Sequence, residues 1–231
     1  AATVDPAIAS DKFQRIINEK YAADIMFLIN RANIRAGQLK TNAMDELRKE
    51  ILETSGNASR ELKEINVNSY ASPEGPEAWN TELAQDREKN TVNYIEKQLK
   101  KDNITEFGEL TKHFTAEDWE GFKELVSKSN IQDKDLILSV LSMYKDPEQR
   151  EKEIRNLSNV FEVLAEEILP QLRYSRITAS IDVIGKSDAE IQELFKTNPK
   201  ALSIDEILYC ATLTDNDAER LKIYDTAARI Y

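Results

Sequence analysis

The chain has 231 residues, of which 41% are hydrophobic and 32% are charged, a balance typical of folded globular domains and not of disordered segments. Its formal net charge of -11 argues against nucleic acid or an anionic membrane surface as a partner, because phosphate binding requires a basic surface. The sequence has no apolar stretch of the about 18 residues that a membrane span needs, and its N-terminus lacks the pattern of a signal peptide. Whether an export signal or lipid anchor lies outside this sequence is left open.

The first strand and helix are predicted from two apolar patterns. A continuous apolar run at residues 23–29 predicts a buried strand, because it has strand length and is followed by polar residues. Apolar residues then recur at helical spacing from Leu39 to Ile51, and Gly56 is suited to end that helix.

The second strand and helix follow directly. Residues 65–71 alternate between apolar or small and polar side chains, which predicts a half-buried strand. Pro76 is suited to the first helical position, and Glu77 lies near the positive end of the helix dipole. The order β-α-β-α predicts an α/β (α+β) fold in which helices pack on a mixed sheet.

The return strand is predicted late in the chain. Alternation at residues 177–183 indicates a strand, and a shorter one is predicted within residues 106–114. The segment of about 116–172 between them reads as a helical insertion, with Asp146 as an N-cap before Pro147. We therefore predict one domain over residues 1–186 and a helical segment over 187–231.

The C-terminal segment begins two of its helices with capping boxes. Ser187 with Glu190, and Ser203 with Glu206, have the spacing at which the two residues satisfy each other's free backbone donors. The final helix is predicted from apolar residues at helical spacing. Such a helical pair could be the first unit of a repeat array, because an isolated unit cannot bury its own apolar face.

Residue types that carry catalysis are sparse. His113 is the single histidine and Cys210 the single cysteine, so a zinc cluster, a histidine-based triad and an internal disulfide are not expected. The sequence has no glycine-rich phosphate loop and no nucleophile elbow. Among 42 acidic residues, neighbouring carboxylates do not indicate acid-base catalysis. We predict no enzyme activity, no catalytic residue, no metal and no cofactor.

The second helix combines an amide with a guanidinium. Asn80, Leu83, Arg87 and Thr91 fall along one helical stripe. A guanidinium on this stripe can bind a carboxylate through two parallel hydrogen bonds. The alternative interpretation is a solvated helix charge, since Arg87 has charged neighbours on both sides.

The stretch "SYASPEGPEAWNTELAQDR" resembles the OmpA-like, peptidoglycan-associating domain of Gram-negative outer-membrane proteins and lipoproteins. That family has the pattern G-[HY]-[TA]-D-x-x-G-x-x-x-x-N-x-x-L-[SA]-x-x-R, and this chain matches it in register. The coincident residues are Gly75, Asn80, Leu83, Ala84 and Arg87.

A second match lies upstream, where the first strand of the family ends in F-x-x-N-x-x-x-[IL] and this chain has "FLINRANI" with Phe27, Asn30 and Ile34. The resemblance covers roughly residues 20–100 and, more weakly, the strand that includes Arg176. The C-terminal helices also resemble part of a tetratricopeptide unit.

The resemblance implies a pocket for the diaminopimelate side chain of the peptidoglycan stem peptide. It implies that Arg87 pairs with the ligand carboxylate, that Asn30 adds an amide hydrogen bond and that Asn80 braces the turn. Where the family has an aspartate, this chain has Ser72, so Glu74 or Glu77 is the candidate replacement. Further candidates for supporting residues are Tyr70 and Arg176.

The expected function is thus non-catalytic attachment of the outer membrane to peptidoglycan from the periplasm. The alternative is an envelope scaffold that kept the fold and lost the ligand. Such a scaffold would hold protein partners through the insertion and the C-terminal helices.

Overall fold

The computed structural model describes residue 11 and residues 13–231, apart from the side chains of residues 158 and 159. The chain divides into two compact units. One is Glu19–Ile181, and the other joins Asp182–Tyr231 to the described residues before Glu19. The sequence instead predicts one domain over residues 1–186, and that division stays a prediction.

The described residues form a four-stranded sheet in the order β1-β4-β2-β3. The strands are β1 (Ile16–Met26), β2 (Arg60–Tyr70), β3 (Glu109–Thr115) and β4 (Tyr174–Ile184). β2 and β3 are parallel. β1 runs antiparallel to β4, because Phe27 N–H donates to the Arg173 carbonyl and Gly185 N–H to the Arg15 carbonyl. The predicted α+β class is confirmed.

In the described part of the chain, six α-helices lie in the connections between these strands and three follow β4. Their bounds are α1 (Asn42–Thr54), α2 (Glu77–Lys101), α3 (Trp119–Lys128), α4 (Lys134–Met143), α5 (Pro147–Asn156), α6 (Ser158–Glu167), α7 (Asp188–Thr197), α8 (Ile204–Thr212) and α9 (Asp217–Ile230). Helices α3 to α6 lie between β3 and β4, where the sequence predicts an insertion. The Asp146 N-cap and both predicted capping boxes are present.

The first strand begins and ends earlier than predicted. We predicted residues 23–29, whereas β1 spans Ile16–Met26. Leu28 and Ile29 are 51% and 50% exposed, and Asn30 has a φ of 52°, which no strand residue adopts. The apolar run therefore continues past the strand into the loop. Pro76 is likewise the N-cap of α2 and not its first helical residue.

One face of the sheet packs against α1 and α2. Alternate strand residues such as Ile25, Ile65 and Ile177 are fully buried and share a cluster with Leu47 and Ile95 of the two helices. Each such side chain contributes about 1.5–3 kcal/mol by leaving water. This packing fixes the end of β2 against the beginning of α2, and the candidate site lies there.

The insertion has a hydrophobic cluster of its own. Phe122, Val126, Ile137, Leu164 and Leu172 are among its buried members. The helices α3 to α6 therefore have an apolar core distinct from the one under the sheet.

The C-terminal helices form another cluster, which includes Ile191, Ile207 and the buried thiol of Cys210. Burial raises the pKa of that thiol. In the same unit, Phe13 stacks on Tyr209 with 4.2 Å between ring centroids. Among the described residues, no helix combines the length and apolar character required to cross a membrane.

The C-terminus of α2 carries an ion pair that gives a pH-dependent prediction. Asp102 accepts hydrogen bonds from Arg48, at 3.0 and 2.8 Å, and from Gln98 at 2.9 Å. These bonds lower the pKa of Asp102 to about 2, the Arg48 bond having the larger effect. Since the folded pKa lies below the unfolded one of about 3.9, the stabilisation is complete above about pH 4 and lost as the pH falls to about 2.

We expect Asp102→Asn to lower the free energy of unfolding by roughly 1 kcal/mol at pH 7, because half of the Arg48 side chain is exposed to solvent. The difference from the unmodified protein should shrink as the pH falls below about 4 and disappear below about pH 2. Urea unfolding at a series of pH values measures it, and a pH-independent difference would contradict the assignment.

Candidate functional site

The candidate site is the β2–α2 corner, which we define as the turn of residues 71–76 with the loop of residues 27–35 beside it. Gly75 has a φ of 89°, in the left-handed region that favours glycine. The Glu74 N–H donates to the Ser72 carbonyl at 2.8 Å and closes the turn. The backbone at the N-terminus of α2 is thereby fixed.

Arg87 lies under this corner and is 0% exposed. Its guanidinium donates to three main-chain carbonyls: Nε to Arg31 at 2.9 Å, Nη1 to Tyr70 at 2.8 Å and Nη2 to Leu28 at 3.2 Å. It also lies 5.1 Å from the centroid of the Phe27 ring. Arg87 thus ties the loop after β1 and the end of β2 to α2.

Burial disfavours the charged form of the Arg87 guanidinium, but the group stays charged at neutral pH. Burial, and next the charge of Arg173, lower the pKa of Arg87 to about 10, while Glu74 acts in the opposite direction. A solvated helix charge, the alternative interpretation from sequence, does not fit a fully buried side chain. In this conformation Arg87 offers no exposed surface to a ligand, and its direct pairing with a ligand carboxylate stays a prediction.

Ser72 and Glu74 form a short chain of hydrogen bonds. The buried Ser72 hydroxyl donates to Glu74 Oε2 at 2.6 Å, and Arg173 Nη2 donates to both Glu74 oxygens at 3.2 and 2.9 Å. The side chains of Arg173 and Glu74 are only 11% and 12% exposed. Glu74 therefore brings a carboxylate next to Ser72, where the resembled family has an aspartate.

One buried N–H donor of Arg173 has no partner in the described residues. This donor is the Nε of the side chain. A buried donor without an acceptor costs about 1–3 kcal/mol. This Nε belongs to the guanidinium that pairs with Glu74.

The insertion reaches the corner through Glu151 of α5. The Gly75 N–H donates to Glu151 Oε1 at 2.7 Å. The same carboxylate pairs with Arg155 at 2.7 Å, and the Glu151 side chain is 17% exposed. A carboxylate thus accepts the hydrogen bond of the Gly75 N–H, next to the positive end of α2.

Asn80 braces the turn, as the resemblance implies. It is 1% exposed, and its Nδ2 donates to the Gly75 carbonyl and to Glu117 Oε1, both at 3.3 Å. Burial raises the pKa of Glu117, against the effect of hydrogen bonds from Trp119 and Asn80. The exposed Glu77, the other candidate replacement for the aspartate, lies at the start of α2.

Asn30 lies at the rim of the corner. Its Oδ1 accepts a hydrogen bond from Trp79 Nε1 at 3.3 Å, and Trp79 is 51% exposed. Through the Leu28 carbonyl, the same loop is bound to Arg87. The structure therefore brings Asn30, Ser72, Glu74, Asn80 and Arg87 to one corner.

Two predicted supporting residues contact other groups. The Tyr70 ring stacks on Tyr174 with 4.6 Å between centroids, although its carbonyl accepts from Arg87. Arg176 pairs with Asp24 at 2.8 and 3.0 Å and lies over the Tyr174 ring. Arg176 thus contacts Asp24 and Tyr174 at the sheet surface.

Three residues of the site, Glu151, Glu117 and Arg173, are not among the site residues predicted from the sequence. Glu151 is 76 positions away from Gly75 along the chain, and Arg173 is 99 positions away from Glu74. Neither has a local motif that marks it among the many charged residues. In the part of the chain that the structure describes, no group of three or more His, Cys, Asp or Glu side chains could hold a metal ion.

No protein-family model matches this chain, and no curated protein matches it.

Proposed function

We propose that this chain is a non-catalytic cell-envelope module of the OmpA-like type that binds the peptidoglycan stem peptide at the β2–α2 corner. In this proposal it lies in the periplasm and connects the outer membrane to the wall. The observation that carries the proposal is the carboxylate of Glu151 on the Gly75 amide, at 2.7 Å. The corner accommodates a carboxylate, which is the group that diaminopimelate would present.

The corner offers a complementary group for each charge of the ligand. A ligand carboxylate would accept a hydrogen bond from the Gly75 N–H. The ammonium group of diaminopimelate would pair with Glu74, which compensates for Ser72 in the position of the aspartate. No bond is made or broken, so recognition rests on charge-assisted hydrogen bonds alone.

Arg87 has a positioning role in this proposal. Its bonds to Leu28, Arg31 and Tyr70 set the distance between the loop and the turn. Because the guanidinium is fully buried, its contribution to ligand binding is the shape of the corner and its positive charge.

The second candidate function is the envelope scaffold without peptidoglycan binding. One observation favours it: Ser72, Glu74, Asn80 and Arg87 already have hydrogen-bond partners within the chain. In that case the hydrogen bonds of the corner only stabilise the fold, and protein partners would bind elsewhere.

Calorimetric titration with two stem peptides separates the candidates. One peptide contains diaminopimelate and the other contains lysine, which has the same ammonium but lacks the side-chain carboxylate. We expect saturable binding of the first and at least about tenfold weaker binding of the second, because a charge-assisted hydrogen bond contributes about 1.5–3 kcal/mol. Equal affinities for the two peptides would overturn recognition of the diaminopimelate carboxylate, and no heat with either peptide would overturn the proposal in favour of the scaffold.

A further inference from the structure

Helix α5 of the insertion places a carboxylate where the proposed ligand would bind. Glu151 Oε1 accepts from the Gly75 N–H at 2.7 Å and from Arg155 Nε at 2.8 Å. Arg155, four residues further along α5, holds the carboxylate in place from its more exposed side. The contact spans two separate parts of the fold, the turn before α2 and the insertion.

The Gly75 amide has one hydrogen to donate. At a distance of 2.7 Å and with hydrogen-bond geometry, Glu151 uses that hydrogen fully, so a second carboxylate cannot bind it at the same time. Any external carboxylate must first displace Glu151. The apparent affinity of that external carboxylate is then its intrinsic affinity multiplied by the fraction of molecules in which Glu151 has left the Gly75 amide.

We propose that Glu151 is an internal competitor for the carboxylate site, and that the insertion thereby sets the affinity of the corner. The identity of the external ligand rests on the proposed function, whereas the competition itself applies to any carboxylate. Because helices α3 to α6 have a hydrophobic cluster of their own, α5 can move from Gly75 without dismantling the core under the sheet.

The local contacts explain why displacement is feasible. Glu151 is 17% exposed and the Arg155 side chain is 46% exposed, so both charges regain water when they separate from the corner. By contrast, the Glu74 and Arg173 side chains beneath them are only 12% and 11% exposed and stay paired. The exchange at Gly75 therefore leaves the Glu74–Arg173 pair in place.

The test is a titration with sodium acetate, followed at the Gly75 amide by nitrogen-15 NMR. It compares the unmodified protein, Glu151→Ala and a control, Glu148→Ala, which removes an exposed carboxylate from the same helix. We expect the Gly75 resonance of Glu151→Ala to shift saturably, at an acetate concentration at least about tenfold below that needed by the other two proteins. The same acetate response in all three proteins would overturn the inference.

A milder variant and a second ligand complete the test. Glu151→Gln keeps the shape and an acceptor oxygen but loses the charge, so it should give a smaller gain in acetate affinity than Glu151→Ala. Titration of the same proteins with the diaminopimelate stem peptide then separates the two proposals. Acetate competition without stem-peptide binding would support the inference and contradict the proposed function. Equal stem-peptide affinity in all variants would support the function and overturn the inference.

Discussion

Replacement of Arg87 with alanine is expected to lower the free energy of unfolding by about 3 kcal/mol or more. The change removes a fully buried side chain and takes the guanidinium hydrogen bonds away from the carbonyls of Leu28, Arg31 and Tyr70. It also opens a cavity beside Phe27, which lies against the guanidinium. Urea unfolding followed by circular dichroism measures the loss.

The matched control is Arg176→Ala. Arg176 also forms bonds through its guanidinium, but its pair with Asp24 lies on the surface, with side chains 48% and 37% exposed. Removal of such a pair costs about 1 kcal/mol or less. Similar stabilities for the two variants would show that Arg87 is not a structural tie. If the expected difference is found, loss of ligand binding in Arg87→Ala cannot by itself be assigned to a lost ligand contact.

The second large effect is expected at Gly108, just before β3. Its φ is 64°, and a Cβ added there would lie 1.9 Å from the carbonyl oxygen of Lys63. Both groups belong to the backbone, so the clash can be relieved only by moving β3 away from β2. We expect Gly108→Ala to lower the free energy of unfolding by on the order of 3 kcal/mol or more, measured by urea or thermal unfolding.

Gly37→Ala is the control for Gly108→Ala. A Cβ at Gly37 meets nothing within 4 Å, and this residue has no left-handed φ. Its replacement should leave stability unchanged or raise it by up to about 1 kcal/mol, because alanine restricts the unfolded chain. A Gly108→Ala protein as stable as Gly37→Ala would contradict the close approach of Gly108 to Lys63.

Much of the local structure could be predicted from the sequence because its signals are local. The alternation in residues 177–183 and the capping boxes at Ser187 and Ser203 each involve neighbours a few positions apart. The order of the strands could not be predicted this way. That β4 lies between β1 and β2, and that β2 is parallel to β3, depends on contacts between distant segments.

The site shows the same division. Asn80 and Arg87 could be selected together because helical spacing places them on one stripe near Gly75. The contacts of Arg87 could not be predicted in this way, because its burial depends on the tertiary fold. The buried guanidinium donates to three main-chain carbonyls, which a helix charge in solvent would not do. The carboxylate on Gly75 comes from Glu151, in an insertion whose position relative to the turn has no local sequence signal.

The central claim is that the Gly75 amide receives the carboxylate of a peptidoglycan stem peptide. The most direct measurement is chemical-shift mapping of the unmodified protein during titration with the diaminopimelate peptide. We expect a saturable shift of the Gly75 amide resonance, accompanied by shifts in α5 as Glu151 leaves. Saturable binding with an unmoved Gly75 resonance, or with shifts confined to α7 to α9, would contradict it.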